Sequence, residues 1–144
     1  MTVLDAFAVL AFLRDEPAAS AVQELLRAPT VLSAVNATEV VDQLVRVYGR
    51  DPNDVHADVA LLEHTGMTVS PVTAALGLAA GHLRARHYHR QAMAVSLADC
   101  TAAATALALA LPLATADPAL ATLVRREGGV VSGLPDSQCR FPQE

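Results

Sequence analysis

The stretch Met93-Ala-Val-Ser-Leu-Ala-Asp-Cys-Thr-Ala-Ala-Ala-Thr-Ala106, with Pro112-Leu-Ala-Thr-Ala-Asp-Pro118 after it, decides the fold of this chain. Ser96 is a candidate N-cap, and the apolar run behind it predicts a buried helix that ends before the second segment. The second segment predicts a short strand. Asp99 lies in the first turn of the helix, and Asp117 directly follows the strand. A carboxylate at the edge of so apolar a region needs a partner for its charge.

Two more acids occur in similar settings. Asp5 comes after the strand-like Thr2-Val-Leu4, and Glu39 comes after the apolar segment that begins with Thr30-Val-Leu-Ser33. Short strands alternate with helices throughout, which predicts an α/β sandwich with a mostly parallel sheet. Ligands of such sheets bind outside the carboxyl ends of the strands. We therefore expect four carboxylates to converge there around a divalent metal: Asp5, Glu39, Asp99 and Asp117.

The elements themselves follow from local signals. β-Branched and apolar runs predict strands over residues 2–4, 30–33, 67–69, 112–115 and 128–132. Apolar spacing and capping residues predict helices over residues 7–13, 16–28, 36–48, 51–65, 73–86, 97–111 and 118–126. The third helix has Ser33 or Asn36 as its N-cap. Tyr48 and Ala79 are predicted to face the core with their apolar neighbours.

Composition narrows the function. The chain has 144 residues, 53% of them hydrophobic, which fits one folded domain. Its formal charge is −5, so any contact with nucleic acid requires a local basic patch or a bound cation. All ten basic residues are arginine, which excludes mechanisms that need a lysine. No basic region or cleavage site follows Met1, and the longest apolar run is too short for a bilayer, so we expect a cytoplasmic protein without a membrane partner.

Each acid also has an ordinary structural explanation. Ser96-Leu-Ala-Asp99 fits a capping box, and Asn36-Ala-Thr-Glu39 is a second possible one. Asp117 before Pro118 fits an N-cap with proline at the first helical position, and Asp5 fits a cap for the helix after it. Carboxylates there also gain from the helix dipole. Capping and metal binding are compatible, since a first helical turn fixes a side chain and points it at a ligand.

Four motifs, taken in order, resemble those of the PIN domain family, in particular the VapC-type toxins of bacterial toxin–antitoxin pairs. The first is Val3-Leu-Asp-Ala-Phe-Ala-Val-Leu-Ala-Phe-Leu13 followed by Glu16-Pro17. The second is Ser33-Ala-Val-Asn-Ala-Thr-Glu-Val40, and the third begins at Ser96-Leu-Ala-Asp. The fourth is Leu113-Ala-Thr-Ala-Asp-Pro118. The resemblance implies a three-layer α/β/α sandwich, with a PIN-like nuclease domain over residues 1–132 and an irregular tail over residues 133–144.

The resemblance also implies an activity: a magnesium- or manganese-dependent ribonuclease, active as a toxin on structured RNA. Its acidic residues correspond to Asp5, Glu39, Asp99 and Asp117, and its polar helper corresponds to Thr115. A small antitoxin that covers the acidic cleft and a two-fold homodimer are the implied protein partners. The arginines that best fit RNA contact belong to the one basic concentration in the chain: Arg84, Arg86 and Arg90.

Other classes fit less well. A receiver domain also gathers acids at the end of a parallel sheet, but it uses a lysine. A haloacid-dehalogenase phosphatase needs an aspartate where this chain has Phe7. Zinc at His82, His87 and His89 remains an alternative, and Cys100 fits a buried apolar residue better than a nucleophile. The serious rival is a non-catalytic PIN-like module that binds protein or RNA and cleaves nothing.

Overall fold

The computed structural model describes residues 1–143, in which five strands and seven helices alternate. The strands are β1 (Thr2–Leu4), β2 (Thr30–Ser33), β3 (Met67–Ser70), β4 (Leu113–Thr115) and β5 (Val131–Gly133). The helices are α1 (Ala6–Leu13), α2 (Ala19–Leu25), α3 (Ala34–Asp42), α4 (Pro52–His64), α5 (Ala74–His87), α6 (Leu97–Leu109) and α7 (Pro118–Arg126). A π-helical turn, Gln43–Val47, continues α3.

The sheet has the order β3-β2-β1-β4-β5, and every neighbouring pair is parallel. In the central register, Val3 of β1 lies opposite Val31 of β2 and Leu113 of β4. The predicted parallel α/β fold is confirmed. Because the chain crosses back through a helix between successive strands, the carboxyl ends of all five strands lie at one edge.

The sheet divides the apolar core in two, because successive side chains along a strand point to opposite faces of the sheet. Val3 packs in a cluster with residues of α5, α6 and α7, whereas its neighbour Leu4 packs in a second cluster with residues of α1, α3 and α4. Both side chains are fully buried. Successive strand residues point to opposite faces of a sheet, and a parallel sheet normally needs both faces covered. The fold is therefore a three-layer α/β/α sandwich.

Helix α6 is the most deeply packed element. Seven consecutive residues, 100–106, are buried, and four of them are alanines whose small side chains allow close approach to the sheet. The two polar residues in this run satisfy their hydroxyls within the helix: Thr101 donates to the carbonyl of Leu97, and Thr105 donates to that of Thr101, each at 2.8 Å. This burial holds the first turn of α6, and Asp99 with it, against the sheet.

Three details differ from the sequence prediction. Tyr48 is 45% exposed, because it follows the wider π-helical turn, and the Arg14 guanidinium lies 3.5 Å from the centre of its ring. Ala79 is exposed, since α5 packs against α6 through the side that carries Ala80 and Leu83. Helix α6 ends at Leu109, where Ala110 adopts a left-handed conformation.

After β5 the chain forms neither helix nor strand as far as residue 143, but it stays on the domain. Leu134 is buried, and its N–H donates to the Thr115 carbonyl at 2.9 Å. The division into a domain over residues 1–132 and a tail over 133–144 stays a prediction, and β5 extends one residue past that boundary. Within residues 1–143, every helix is too short or too polar to cross a lipid bilayer.

Candidate active site

A cleft of about 490 Å³ opens at the carboxyl edge of the sheet, beyond β1, β2 and β4. All four acids singled out from the sequence line it, and each comes from a different part of the chain. The structure thus brings them together although 112 positions separate the first from the last. The lining residues are Asp5, Ala6, Phe7, Glu39, Ser96, Asp99, Ala116, Asp117, Pro118 and Asp136.

Three of the acids are helix caps. The Asp5 carboxylate accepts the Ala8 N–H at 2.8 Å at the start of α1. Asp117 accepts the N–H groups of residues 119 and 120 at the start of α7. Asp99 and Ser96 form a reciprocal capping box on α6: the Asp99 carboxylate accepts the Ser96 N–H at 2.7 Å, and the Ser96 hydroxyl accepts the Asp99 N–H at 3.0 Å. These bonds fix the direction in which each carboxylate enters the cleft.

Glu39 reaches the cleft in a different way. The N-cap of α3 is Ser33, so the second capping box proposed from the sequence does not form. Glu39 lies in the second turn of α3, half-buried. The buried Asn36 lies one turn earlier, and its side-chain amide donates to the Ala98 carbonyl at 3.3 Å. This bond joins α3 to the first turn of α6 and so sets Glu39 beside Asp99.

Thr115 acts behind the acids rather than in the cleft. The residue is fully buried at the end of β4. Its hydroxyl accepts the Asp117 N–H at 3.0 Å and hydrogen-bonds to the Asp5 carboxyl. A single hydroxyl therefore connects the acid that follows β1 with the acid that follows β4.

The charge in the cleft is not compensated by cationic side chains. Burial raises the pKa of Asp5 to about 7, against the opposing effect of the hydrogen bonds from Thr115 and Ala8. The negative charges of Asp99 and Asp117 raise it further. Burial also raises the pKa of Glu39, with Asp99 and Asp42 adding to the effect. No arginine or histidine is among the residues that line the described cleft, which therefore favours a positively charged ligand.

This arrangement of a parallel sheet with acids at its carboxyl edge agrees with the family comparison, in which residues 2–125 match the PIN domain. The chain belongs to the PIN domain family. PIN domains are a family of nucleases and are typically metal-dependent. The predicted resemblance to this family is confirmed. No curated protein matches the sequence closely enough to count as a relative.

Solved structures share the PIN fold at low sequence identity. VapBC2 from Rickettsia felis, bound to a DNA fragment from its promoter, is 14% identical with a TM-score of 0.67, covering 92% of this chain and 98% of that one. A toxin–antitoxin complex from Klebsiella pneumoniae is 16% identical with a TM-score of 0.61, covering 81% and 87%. VapC20 from Mycobacterium tuberculosis, a toxin that cleaves the sarcin–ricin loop, is 20% identical with a TM-score of 0.62, covering 78% and 87%.

The chemistry of the cleft in this PIN domain fits a hard divalent cation. All of its candidate ligands are carboxylate oxygens, which Mg²⁺ and Mn²⁺ prefer, and a cation would offset the charges that raise the pKa of Asp5. The acids are nevertheless held apart: among residues 1–143, no three Asp, Glu, His or Cys side chains stand close enough to share one ion as they are placed. The capping bonds hold Asp5, Asp99 and Asp117 at separate helix starts, and Mg²⁺ tolerates such spacing because it keeps several waters as ligands.

The candidate RNA arginines lie outside the cleft of the PIN domain. The Arg84 side chain donates to the Val95 carbonyl at 3.0 Å and stacks on Tyr88, with its guanidinium 4.2 Å from the centre of the ring. Arg86 pairs with Glu127 at 3.0 Å. Arg90 is exposed in the loop after α5. RNA contact by these three arginines stays a prediction, and two of them already have partners within the protein.

The structure weakens two alternatives. The His87 ring binds the Glu127 carboxylate at 2.5 Å, and no group of three metal-ligating side chains forms around the histidines within residues 1–143. Burial raises the pKa of the Cys100 thiol to about 11, and the negative charge of Asp99 adds to the effect. A thiol that stays protonated at neutral pH is a poor nucleophile.

Two residues of the site were not predicted from the sequence. Asp136 lines the cleft from the C-terminal tail, and Asn36 links the helices that carry Glu39 and Asp99. The sequence does mark Asn36, since it is a polar residue inside an apolar segment. The same pattern also fits a helix N-cap, so it does not reveal the contact with α6. Nothing in the sequence marks Asp136 as part of the site, because a polar residue is ordinary in a polar, proline-containing tail.

Proposed function

We propose that this PIN domain is a magnesium- or manganese-dependent ribonuclease that hydrolyses RNA phosphodiester bonds and acts as the toxin of a toxin–antitoxin pair. One observation carries the proposal. Four carboxylates from separate elements line a single cleft in which no cationic side chain balances them. Structural helix caps alone would not need to share a cleft, and the caps of α4 and α5 lie outside it.

Each acid has a proposed role. Asp5 and Asp99 are the direct ligands of the divalent ion, since the Asp5 carboxyl is buried in the cleft and, besides burial, the charge of Asp99 raises the pKa of both Asp5 and Glu39. Asp117 and Glu39 bind through water or hold a second ion. Glu39, whose pKa is raised by burial, is suited to accept a proton from the attacking water. The ion supplies charge stabilisation for the phosphate oxygens. Thr115 orients Asp5 and Asp117 relative to each other.

The direct test is cleavage of RNA by the purified protein. We expect cleavage with Mg²⁺ or Mn²⁺ and none with excess EDTA, because without the ion the carboxylates repel the phosphate they should bind. Restoring Mg²⁺ should restore cleavage. Metal-independent RNA binding without cleavage, by protein whose fold is intact, would favour the non-catalytic PIN-like binding module instead.

The proposed protein partner is a small antitoxin. The toxin–antitoxin complexes among the structural neighbours support this proposal, and so does the chemistry of the cleft, which suits an arginine or lysine in place of the metal. A cell that makes this protein alone should grow slowly, and growth should recover when the cognate partner is made with it. Normal growth at high levels of soluble wild-type protein would contradict the toxin role.

Two further properties belong to the proposal. The protein would act in the cytoplasm, where its RNA substrates and its antitoxin are found. It would also form the two-fold homodimer implied by the family resemblance, through apolar helix surfaces such as that of α5, on which Leu78 is 68% exposed. A monomeric mass in light scattering would contradict the dimer.

A further inference from the structure

The C-terminal tail forms a second cavity that continues from the acidic cleft. This cavity, the tail groove, has a volume of about 660 Å³ and shares Ala116, Pro118 and Asp136 with the cleft. The residues that complete its lining are Thr122, Arg140, Phe141 and Gln143. An RNA strand whose reacting phosphate lay in the cleft would have to continue beyond the cleft at both ends. The tail groove adjoins the cleft directly and could hold the next nucleotide.

The tail is folded, so the groove has defined walls. Leu134 is buried and joined to β4, and Pro142 is buried at the far end. The Arg125 guanidinium of α7 donates to the Gln143 carbonyl at 2.6 Å. Between these anchors, the Asp136 N–H donates to the Arg140 carbonyl at 2.7 Å. The groove is therefore formed by both the domain and the tail.

Hydrogen bonds from Arg140 and Gln138 lower the pKa of Asp136, so its carboxylate is ionised and its charge is paired with that of Arg140. Its Oδ1 accepts the N–H groups of Gln138 and Arg140 at 2.8 and 2.9 Å, and its Oδ2 accepts the Arg140 Nε–H at 3.0 Å. Arg140 Nη2 lies 2.9 Å from the same oxygen. With these bonds made, Asp136 is poorly placed to be a fifth metal ligand. Its main effect is to orient the guanidinium of Arg140.

Arg140 is the only cation among the described residues that line the cleft or the groove. Its side chain is 70% exposed, and its Nη1 donors are not used by Asp136. A guanidinium fixed on one edge by a carboxylate keeps its other edge for an anion. Phe141 lies beside it and is 62% exposed. A cation for phosphate and an exposed aromatic ring for a base are what single-stranded RNA requires.

We propose that the tail groove is an RNA subsite that holds one unpaired nucleotide next to the scissile position, with Arg140 on its phosphate and Phe141 stacked on its base. This inference rests on the proposed nuclease function and names its substrate as single-stranded at that position. The subsite also offers RNA a local contact on a chain of net charge −5, since the edge of the Arg140 guanidinium that Asp136 does not bind lies beside the acidic cleft.

The test measures binding of a labelled single-stranded oligoribonucleotide, about 16 nucleotides long, with Mg²⁺ and Asp99→Asn to prevent cleavage. Arg140→Gln should reduce the slope of log affinity against log salt by about 0.7, the value for one lost phosphate contact on a single strand. Phe141→Ala should weaken binding about tenfold without changing that slope. Phe141→Tyr keeps the ring and should bind like the parent protein.

Matched controls separate a subsite from a general effect of charge or exposure. Arg126→Gln removes an exposed arginine of α7, and Tyr48→Ala removes an exposed aromatic ring; neither residue lines the cleft or the groove. Melting temperatures should be equal across the set. The inference is overturned if the Arg140 and Phe141 variants behave like these controls, or if they bind RNA more tightly, as a tail that blocks the cleft would require. If the parent protein binds no RNA and wild type cleaves none, the proposed function itself fails.

Discussion

Asp99→Asn should reduce RNA cleavage by orders of magnitude while leaving the metal-free protein as stable as wild type. The substitution removes one charge from the acidic cleft. It keeps the N-cap of α6, because that cap is Ser96, whose hydroxyl still accepts the N–H of residue 99, and an asparagine amide oxygen at position 99 can still accept the Ser96 N–H. The loss of repulsion between carboxylates offsets any weakening of the bond to the Ser96 N–H. Activity and stability are thus expected to separate in this variant.

Thermal unfolding without Mg²⁺ compares the stability of the two metal-free proteins, and thermal unfolding with Mg²⁺ measures how strongly the ion stabilises each of them. Mg²⁺ should raise the stability of wild type by RT ln(1 + [L]/Kd), about 2.7 kcal/mol at a hundredfold excess over Kd. The rise should shrink in Asp99→Asn.

Asp51→Asn is the matched control for this prediction. Asp51 caps α4 through the N–H of Asn53 at 2.8 Å and lies outside the cleft. That variant should cleave RNA and respond to Mg²⁺ as wild type does. An Asp99→Asn protein with wild-type cleavage and an unchanged Mg²⁺ response would remove Asp99 from the site.

Asp5→Asn should make the metal-free protein more stable at neutral pH and flatten part of its pH dependence. Burial raises the pKa of Asp5 from 3.8 to about 7 in the folded protein. Between these two pH values the folded state binds more protons than the unfolded state, so the stability of wild type falls as pH rises. Below pH of about 4 and above about 7, this group contributes no slope.

The size of that effect follows from the pKa change, since one pKa unit is about 1.4 kcal/mol and the whole rise is therefore worth roughly 4 kcal/mol. Urea unfolding in EDTA across this pH range should show the stability advantage of Asp5→Asn over wild type growing with pH. Parallel pH profiles for wild type and Asp5→Asn would mean that Asp5 ionises like an exposed carboxylate. Adding Mg²⁺ above pH of about 7 should restore stability to wild type alone.

Most of the fold could be predicted because its local signals agree with one another. The apolar runs at residues 2–4 and 30–33 have the length of strands, and proline or glycine punctuates the helices between them. Parallel pairing follows from the intervening helices. The π-helical turn at Gln43–Val47 could not be predicted, because those residues carry the same apolar spacing as an ordinary helix.

The site was predictable only where one residue carried both the structural and the chemical signal. Asp5, Asp99 and Asp117 lie next to capping signals, so their places at helix starts could be inferred together with their charge. The role of Asn36 depends on a bond to Ala98, 62 positions away, which nothing local reveals. The position of Asp136 depends on the packing of Leu134 and on the Arg125–Gln143 bond, both of which are tertiary.

Because the acids also make capping bonds, mutations in evolution can remove their charge without unfolding the protein. At Asp5 and Asp117 the same carboxylate that would bind the ion is also the N-cap of a helix, and at Asp99 it completes the capping box of α6. A single-base mutation converts an aspartate codon to asparagine, which caps as well and carries no charge. Quality-control proteases respond to unfolded chains and would not detect that change. An inactive descendant would therefore persist as a well-folded protein, and under the proposed function only selection for RNA cleavage itself, not selection for folding, would remove it.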